Sequence, residues 1–252
     1  MRVHHQLADW RAVRNGPVYA GQPVGFVPTM GALHAGHRAL LARARADNER
    51  VVLSIFVNPT QFNDPADLEN YPRTLEADLR LAAGLVDDVI VPPAGELYSD
   101  DYAYRVTEDR FSRELEGAHR PGHFDGVLTV VLKLLNVVAP RRAYFGEKDW
   151  QQVRLVEGMA RALLLPVDII ACPTERDADG LALSSRNRRL SPEARQRAGR
   201  FPQALRSAGS AAEAAELLRA AGLAVDYVED RDGVRLGAVR IENVRLIDNV
   251  RL

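Results

Sequence analysis

The 252-residue sequence predicts a doubly wound α/β fold followed by a smaller C-terminal α+β domain. Three observations carry this reading. Short apolar, β-rich runs alternate with helical patterns up to about residue 178, the pattern of βαβ units around a parallel sheet. The run 51–57 (VVLSIFV) is almost wholly apolar, as a strand covered on both faces must be. Beyond about Asp179 the texture changes to Ala/Arg-rich helical stretches and then short alternating strands.

In chain order, 24–27 reads as a first strand, stopped by Pro28, and a helix follows over 36–47. Strand 51–57 ends at Asn58-Pro59, a helix over 73–84 ends on a glycine, and 88–91 is a third strand. Residues 124–138 form a long helix whose apolar positions 127, 128, 131, 134, 135 and 138 keep a helical period. A short strand over 143–145, a helix over 149–165 and a strand over 167–171 complete a Rossmann-like sheet, so a first domain spans 1–178. The second, 179–252, holds helices over 192–207 and 210–221 and strands near 224–228 and 234–246. Its recurring Val-Arg-Leu-type triplets read as strand alternation with solvated arginines.

Composition narrows the class of function. Thirty-three Lys and Arg balance 34 Asp and Glu, so no global positive field exists to hold a long nucleic acid or an anionic membrane. A bilayer span needs about eighteen apolar residues, and the best run, 127–138, is interrupted by Lys133 and Asn136. The single cysteine, Cys172, has no internal disulfide partner, and the opening MRVHHQLADW lacks an apolar signal core, which points to the cytosol.

The stretch 24–41, VGFVPTMGALHAGHRALL, is a strand, a glycine-containing loop and a helix, where α/β sheets bind phosphate. Gly31 and Gly36 have Walker-A spacing, but His37-Arg38 stands where that motif needs Lys-Ser/Thr, so a P-loop is rejected. On this reading the glycines let a phosphate approach the backbone N–H groups. His34 and His37 lie three apart and share a face if the helix begins at His34 or earlier, placing two ring donors at one triphosphate. Asn58 and Gln61 follow the second strand, where neutral amides bind hydroxyls and a carboxylate without competing as nucleophiles; an Asn-Pro turn cap is the plainer role for Asn58. Lys148, between a strand and a helix, sets a compact positive charge against phosphate, and Asp149 caps the helix or holds a ribose hydroxyl. Ser184, Ser185 and Arg186 form a polyphosphate set, whereas Arg188 and Arg189 read as a solvated face. Arg120 and His123 are weaker triphosphate candidates, and Asp78 is a magnesium contact or a surface carboxylate.

Together with SIFVNPTQF (54–62), YPRT (71–74), RPGHFDGV (120–127), AYFGEKDWQQ (143–152), DGLALSSRN (179–187) and RLIDN (245–249), PTMGALHAGH (28–37) resembles the pantoate–β-alanine ligases from end to end. The resemblance implies an AMP-forming ligation of pantoate and β-alanine through a pantoyl adenylate, with Mg2+ carried by ATP. It implies that Met30, Gly31, Ala32, Leu33, His34, Ala35, Gly36 and His37 bind ATP. Gly146, Glu147, Lys148, Asp149, Glu175, Leu183, Ser184, Ser185 and Arg186 complete the ATP set, with His34, His37 and Lys148 acting at the phosphates. Gln61 and Gln152 are implied to hold pantoate, Gln61 also β-alanine, and the chain to be a homodimer joined through its larger domain. Two departures stand out: Glu175 replaces an apolar residue near the adenine, and the C-terminal region is shorter than usual. A nucleotidyltransferase would use the same HxGH but would not need Gln61 and Gln152; a dead nucleotide-binding relative would have lost a histidine or Lys148.

Overall fold

A computed structural model describes the whole chain, Met1–Leu252. Two compact units emerge: Met1–Leu33, His37–Gly146 and Gln151–Cys172 form the first, and His34–Gly36, Glu147–Trp150 and Pro173–Leu252 the second. The longest stretch of the second unit, Pro173–Leu252, starts just after the last strand of the large sheet. Arg176 explains why: its guanidinium makes paired bonds of 2.7 and 3.0 Å to the buried Asp248, tying the 173–178 segment to the C-terminal sheet.

The first unit is built on β1 (Arg2–His4), β2 (Val24–Thr29), β3 (Arg50–Ile55), β4 (Asp88–Ile90), β5 (Arg142–Gly146) and β6 (Asp168–Cys172). All pairings are parallel, in the order β1-β4-β3-β2-β5-β6, so the winding direction reverses at β2. Adjacent residues feed opposite cores. Phe26, Val52 and Ile90 pack with Trp10 of the Leu7–Arg14 helix and with the His123–Val138 helix, while Val27, Leu53 and Val89 pack with Leu41 of the Ala35–Asp47 helix and Ala82 of the Leu75–Ala82 helix. Helices therefore cover both faces, and the apolar run of β3 is explained. Each of the six apolar positions predicted for the long helix is buried, a contribution of about 1.5–3 kcal/mol apiece.

Three details differ from expectation. β2 runs through Pro28 to Thr29, pairing Pro28 with Ser54 of β3. On its other side β2 pairs with β5 only at Gly25 and Phe26, so a missing N–H at 28 breaks no ladder there. The helix predicted over 149–165 is shorter, Trp150–Ala162. Strand β1 has no sequence signal of its own: Arg2 and His4 are held by side-chain bonds to Asp88, which also accepts from Tyr19 Oη at 2.6 Å.

The second unit packs the Pro192–Ala198, Arg200–Ser207 and Ala211–Ala220 helices on an antiparallel sheet of β7 (Ala224–Arg231), β8 (Val234–Ile241) and β9 (Val244–Arg251). The helix expected over 192–207 breaks at Gly199, and the strand expected over 234–246 is two strands. Asp232 and Gly233, both at positive φ, make the β7–β8 hairpin turn. Gly237 lets β8 lie against the Arg200–Ser207 helix, since a Cβ there would meet the Phe201 ring at 3.0 Å. The solvated-arginine reading fails at Arg235, which is 2 % exposed and bonds Asp230 and the carbonyls of Leu205 and Ala208. No helix is long and apolar enough to cross a membrane.

Candidate active site

In the loop leaving β2 several backbone amides meet internal acceptors. Gly31 (φ +81) and Ala32 (φ 51) turn the chain so that Ala32 and Leu33 donate their N–H groups to Asp78, at 3.0 and 2.8 Å. Thr74 Oγ1 donates to the same carboxylate, and Gly31 N–H is taken by Thr29 Oγ1. Asp78 is buried, not a surface group, and its charge holds the loop in the way a bound anion would. A Cβ on Gly31 would lie 3.0 Å from Asp78 Oδ2. The glycine is needed for this internal contact. Its engaged oxygens also fit Asp78 to loop support better than to the expected magnesium contact.

The helix begins at Ala35, so His34 precedes it and the condition for His34 and His37 to share a helical face is not met. His34 instead folds back: Gly36 N–H donates to its Nδ1 at 3.2 Å, and a Cβ on Gly36 would strike the ring at 2.9 Å. An accepting Nδ1 leaves the proton on Nε2, so the ring is a neutral donor. Burial, then the positive charges of Lys148 and Arg188, push its pKa down to about 4. His37 lies in the first turn, half-buried.

Lys148 is supported from behind by the C-terminal strand. Asn249 Nδ2 donates to the carbonyls of Glu147 and Lys148 at 2.8 and 3.0 Å, and Arg251 bonds the Glu147 carboxylate. The role of RLIDN follows: Asp248 anchors Arg176 and Asn249 anchors the lysine loop. Asp149 sits 3.8 Å from the Lys148 ammonium, which is 18 % exposed. Ser184 Oγ accepts Arg186 N–H and starts a short 3-10 turn, Ser185–Arg189, in which Ser185 and Arg186 are half-buried and Arg188 and Arg189 exposed. Glu175 is exposed and its carbonyl accepts from Leu183 N–H, so its part in the structure is played by backbone.

The amide set lies beyond β3. Asn58, 1 % exposed, makes no capping bond; it donates to Gln61 Oε1 at 3.0 Å and Gly126 O at 3.2 Å, and accepts from Tyr98 Oη and Thr60 Oγ1. Asn58 is the N-cap of the 59–61 turn by position, though its side chain makes no capping bond. Arg120 and His123 bind the Gln61 carbonyl at 3.2 and 2.9 Å, so they position this residue. Of the glutamine pair, Gln152 is half-buried, while Gln151 is buried and holds the 111–116 segment through Glu116 N–H and the carbonyls of Phe111 and Glu114. Sequence reasoning gave no part to Tyr98, Thr60, Gln151 or Asn249; only the block matches around three of them marked the ground.

The family model described as pantoate-beta-alanine ligase matches residues 2–251. The chain belongs to the pantoate-beta-alanine ligase family. Pantothenate synthetases of Bdellovibrio bacteriovorus and Legionella pneumophila (strain Lens) are 51% and 49% identical over all of this chain and 98% and 100% of their own lengths. The short C-terminal region is thus shared with these relatives. A crystal structure of pantothenate synthetase from Thermus thermophilus (42% identity, TM-score 0.90) covers all of the chain, as 99% of its own. So does a pantoate-beta-alanine ligase from Francisella tularensis complexed with beta-gamma ATP and beta-alanine (39%, TM-score 0.94, 97% of its own chain). Like the rest of the family, this chain is a ligase of pantothenate biosynthesis.

Proposed function

We propose that the protein joins pantoate to β-alanine at the expense of ATP through a pantoyl adenylate. A pantoate carboxylate oxygen attacks the α-phosphorus of Mg-ATP as the bond to the β-phosphate breaks and pyrophosphate leaves. The β-alanine amine then attacks the acyl carbon, loses a proton and expels AMP. The observation that carries this is the pairing of functional types: Lys148 beside a histidine held neutral, and an amide set containing no nucleophile. Such groups orient reactants and stabilise charge, which is what an in-line attack between two substrates requires.

On this reading His34 Nε2–H, His37, Lys148, Ser184, Ser185 and Arg186 serve the phosphates. The segments Met30–His37 and Gly146–Asp149, with Glu175 and Leu183, bind the nucleotide. Gln61 and Gln152 hold the acid and Gln61 the amine substrate. Magnesium is proposed to enter as part of the ATP substrate, since Mg2+ commonly keeps waters and phosphate ligands. The chain is proposed to work in the cytosol as a homodimer. Pantoate labelled with 18O in its carboxyl group tests the chemistry. The adenylate route delivers label to AMP; label in inorganic phosphate, or AMP formation that does not depend on β-alanine and pantoate, would refute it.

A further inference from the structure

The amide of Gln61 is not free to choose which end it presents. Asn58 Nδ2 donates to its Oε1 at 3.0 Å, which turns the Gln61 NH2 group away from Asn58. Asn58 in turn is fully committed: one N–H goes to Gln61 and the other to Gly126 O, while its oxygen accepts from Tyr98 Oη at 2.6 Å and Thr60 Oγ1 at 3.0 Å. Flipping Gln61 would set NH2 against NH2. Flipping Asn58 would set its oxygen against the Gly126 carbonyl, which can only accept, so Gly126 O fixes which way the amide faces, while the Tyr98 and Thr60 hydroxyls, 3.2 Å from each other, hold its oxygen in place. Tyr98 is itself rigid: its ring is 8 % exposed, packs on Phe56 and edge-on to Tyr102, and lies under the Lys133 ammonium at 4.8 Å. Burial first of all pushes the Tyr98 hydroxyl up to about 12, so it keeps its proton to donate throughout the working range.

We infer that Tyr98, with Thr60, is a positioning pair that acts through Asn58 to present Gln61 to the acid substrate as a hydrogen-bond donor. This rests on the acid-binding role proposed for Gln61. A donor amide suits a carboxylate or hydroxyl oxygen, whereas the flipped amide would set oxygen against carboxylate. Because either hydroxyl alone still satisfies Asn58 Oδ1, the pair is redundant, and removing both should cost more than the sum of the single losses.

The test is titration of pantoate and of ATP, separately, into wild type, Tyr98→Phe, Thr60→Val, the double variant and Gln61→Ala, with thermal melts alongside. Each single variant should bind pantoate roughly two- to threefold more weakly and the double roughly twentyfold or more, beyond the roughly four- to ninefold that independent losses would multiply to, with ATP affinity unchanged. Equal losses for ATP and pantoate, tracking a fall in Tm, would mean a merely structural role and overturn the inference. So would unchanged pantoate binding in Tyr98→Phe and the double while Gln61→Ala is weakened, a result that leaves the acid-site reading standing. If wild type fails to bind pantoate, or Gln61→Ala binds it as well as wild type, that reading falls and the relay with it. Should the double variant not fold, Tyr98→Phe alone decides by the same split.

Discussion

Gly126→Ala offers the sharpest test of how the His123–Val138 helix sets the proposed acid site. A Cβ at this position would lie 2.5 Å from Thr60 O, 2.6 Å from Thr60 C and 2.8 Å from Gln61 N, all backbone atoms that cannot swing aside. Ordinary contact begins at 3.4 Å, so the 59–61 turn must retreat by about 0.6–0.9 Å, a shift typical of overpacked sites, which cost about 1–3 kcal/mol. Alanine in place of this helical glycine, the fourth residue of the helix, returns up to about 1 kcal/mol of helix propensity, so the net loss of stability is small. The retreat carries Gln61 with it and stretches the Asn58–Gly126 bond, now 3.2 Å. Misplacement on the scale of 1 Å costs about a hundredfold in rate, so kcat/KM for pantoate should fall by one to two powers of ten while Tm moves by only a few degrees. Steady-state kinetics with saturating ATP, beside a thermal melt, measure both. A folded variant whose pantoate kcat/KM stays within threefold of wild type would show that the helix does not set the position of Gln61.

His34 should remain neutral down to about pH 4, so an NMR titration should show no imidazole change near 6.5. Its contribution to stability, intact above 6.5 where neither folded nor unfolded ring is charged, should be lost as pH falls from 6.5 towards 4, and a His34 that titrates near 6.5 would contradict the geometry. Asn249→Ala removes both bonds to the Glu147–Lys148 backbone, and kcat should fall about tenfold or more with the fold intact by circular dichroism; an unchanged kcat would show that the lysine loop holds itself. His37→Ala should slow single-turnover adenylation by roughly two to four powers of ten, and a rate within threefold of wild type would remove it from the phosphate set. Light scattering at micromolar concentration should give twice the 27.9 kDa chain mass, and a monomer would end the homodimer proposal.

The doubly wound sheet was legible because its information is local: apolar runs, glycine stops and a helical period survive without tertiary knowledge. What escaped was made by distant partners. Arg2-Val3-His4 reads as polar and loose until Asp88, 86 residues from Arg2, gathers Arg2, His4 and Tyr19. Arg235 reads as a solvated strand residue until Asp230 and two helix-end carbonyls enclose it. The turn that splits 234–246 contains neither glycine nor proline; Glu242 takes φ 52 there while Ser191 binds its carboxylate.

The same division runs through the site. Residue types and block matches mark where the chemistry is proposed to sit, because a histidine, lysine or glutamine carries its chemistry in its own atoms. Hydrogen-bond direction is a property of pairs, and no spacing rule encodes it. The sequence invited the inference that Gly31 and Gly36 open the loop to phosphate, yet each makes room for an internal acceptor, Asp78 for one and the His34 ring for the other. The Gly31, Ala32, Leu33 and Gly36 N–H groups hold the loop in shape, and the side chains proposed to meet the phosphates are themselves held: a histidine kept neutral by burial and by two neighbouring cations, and a lysine fixed in place by Asn249. A backbone cradle binds any phosphate of the right size. A cradle of oriented side chains can be tuned residue by residue to charge that develops during transfer, which is where the proposed adenylate route, having no covalent nucleophile, must find its rate.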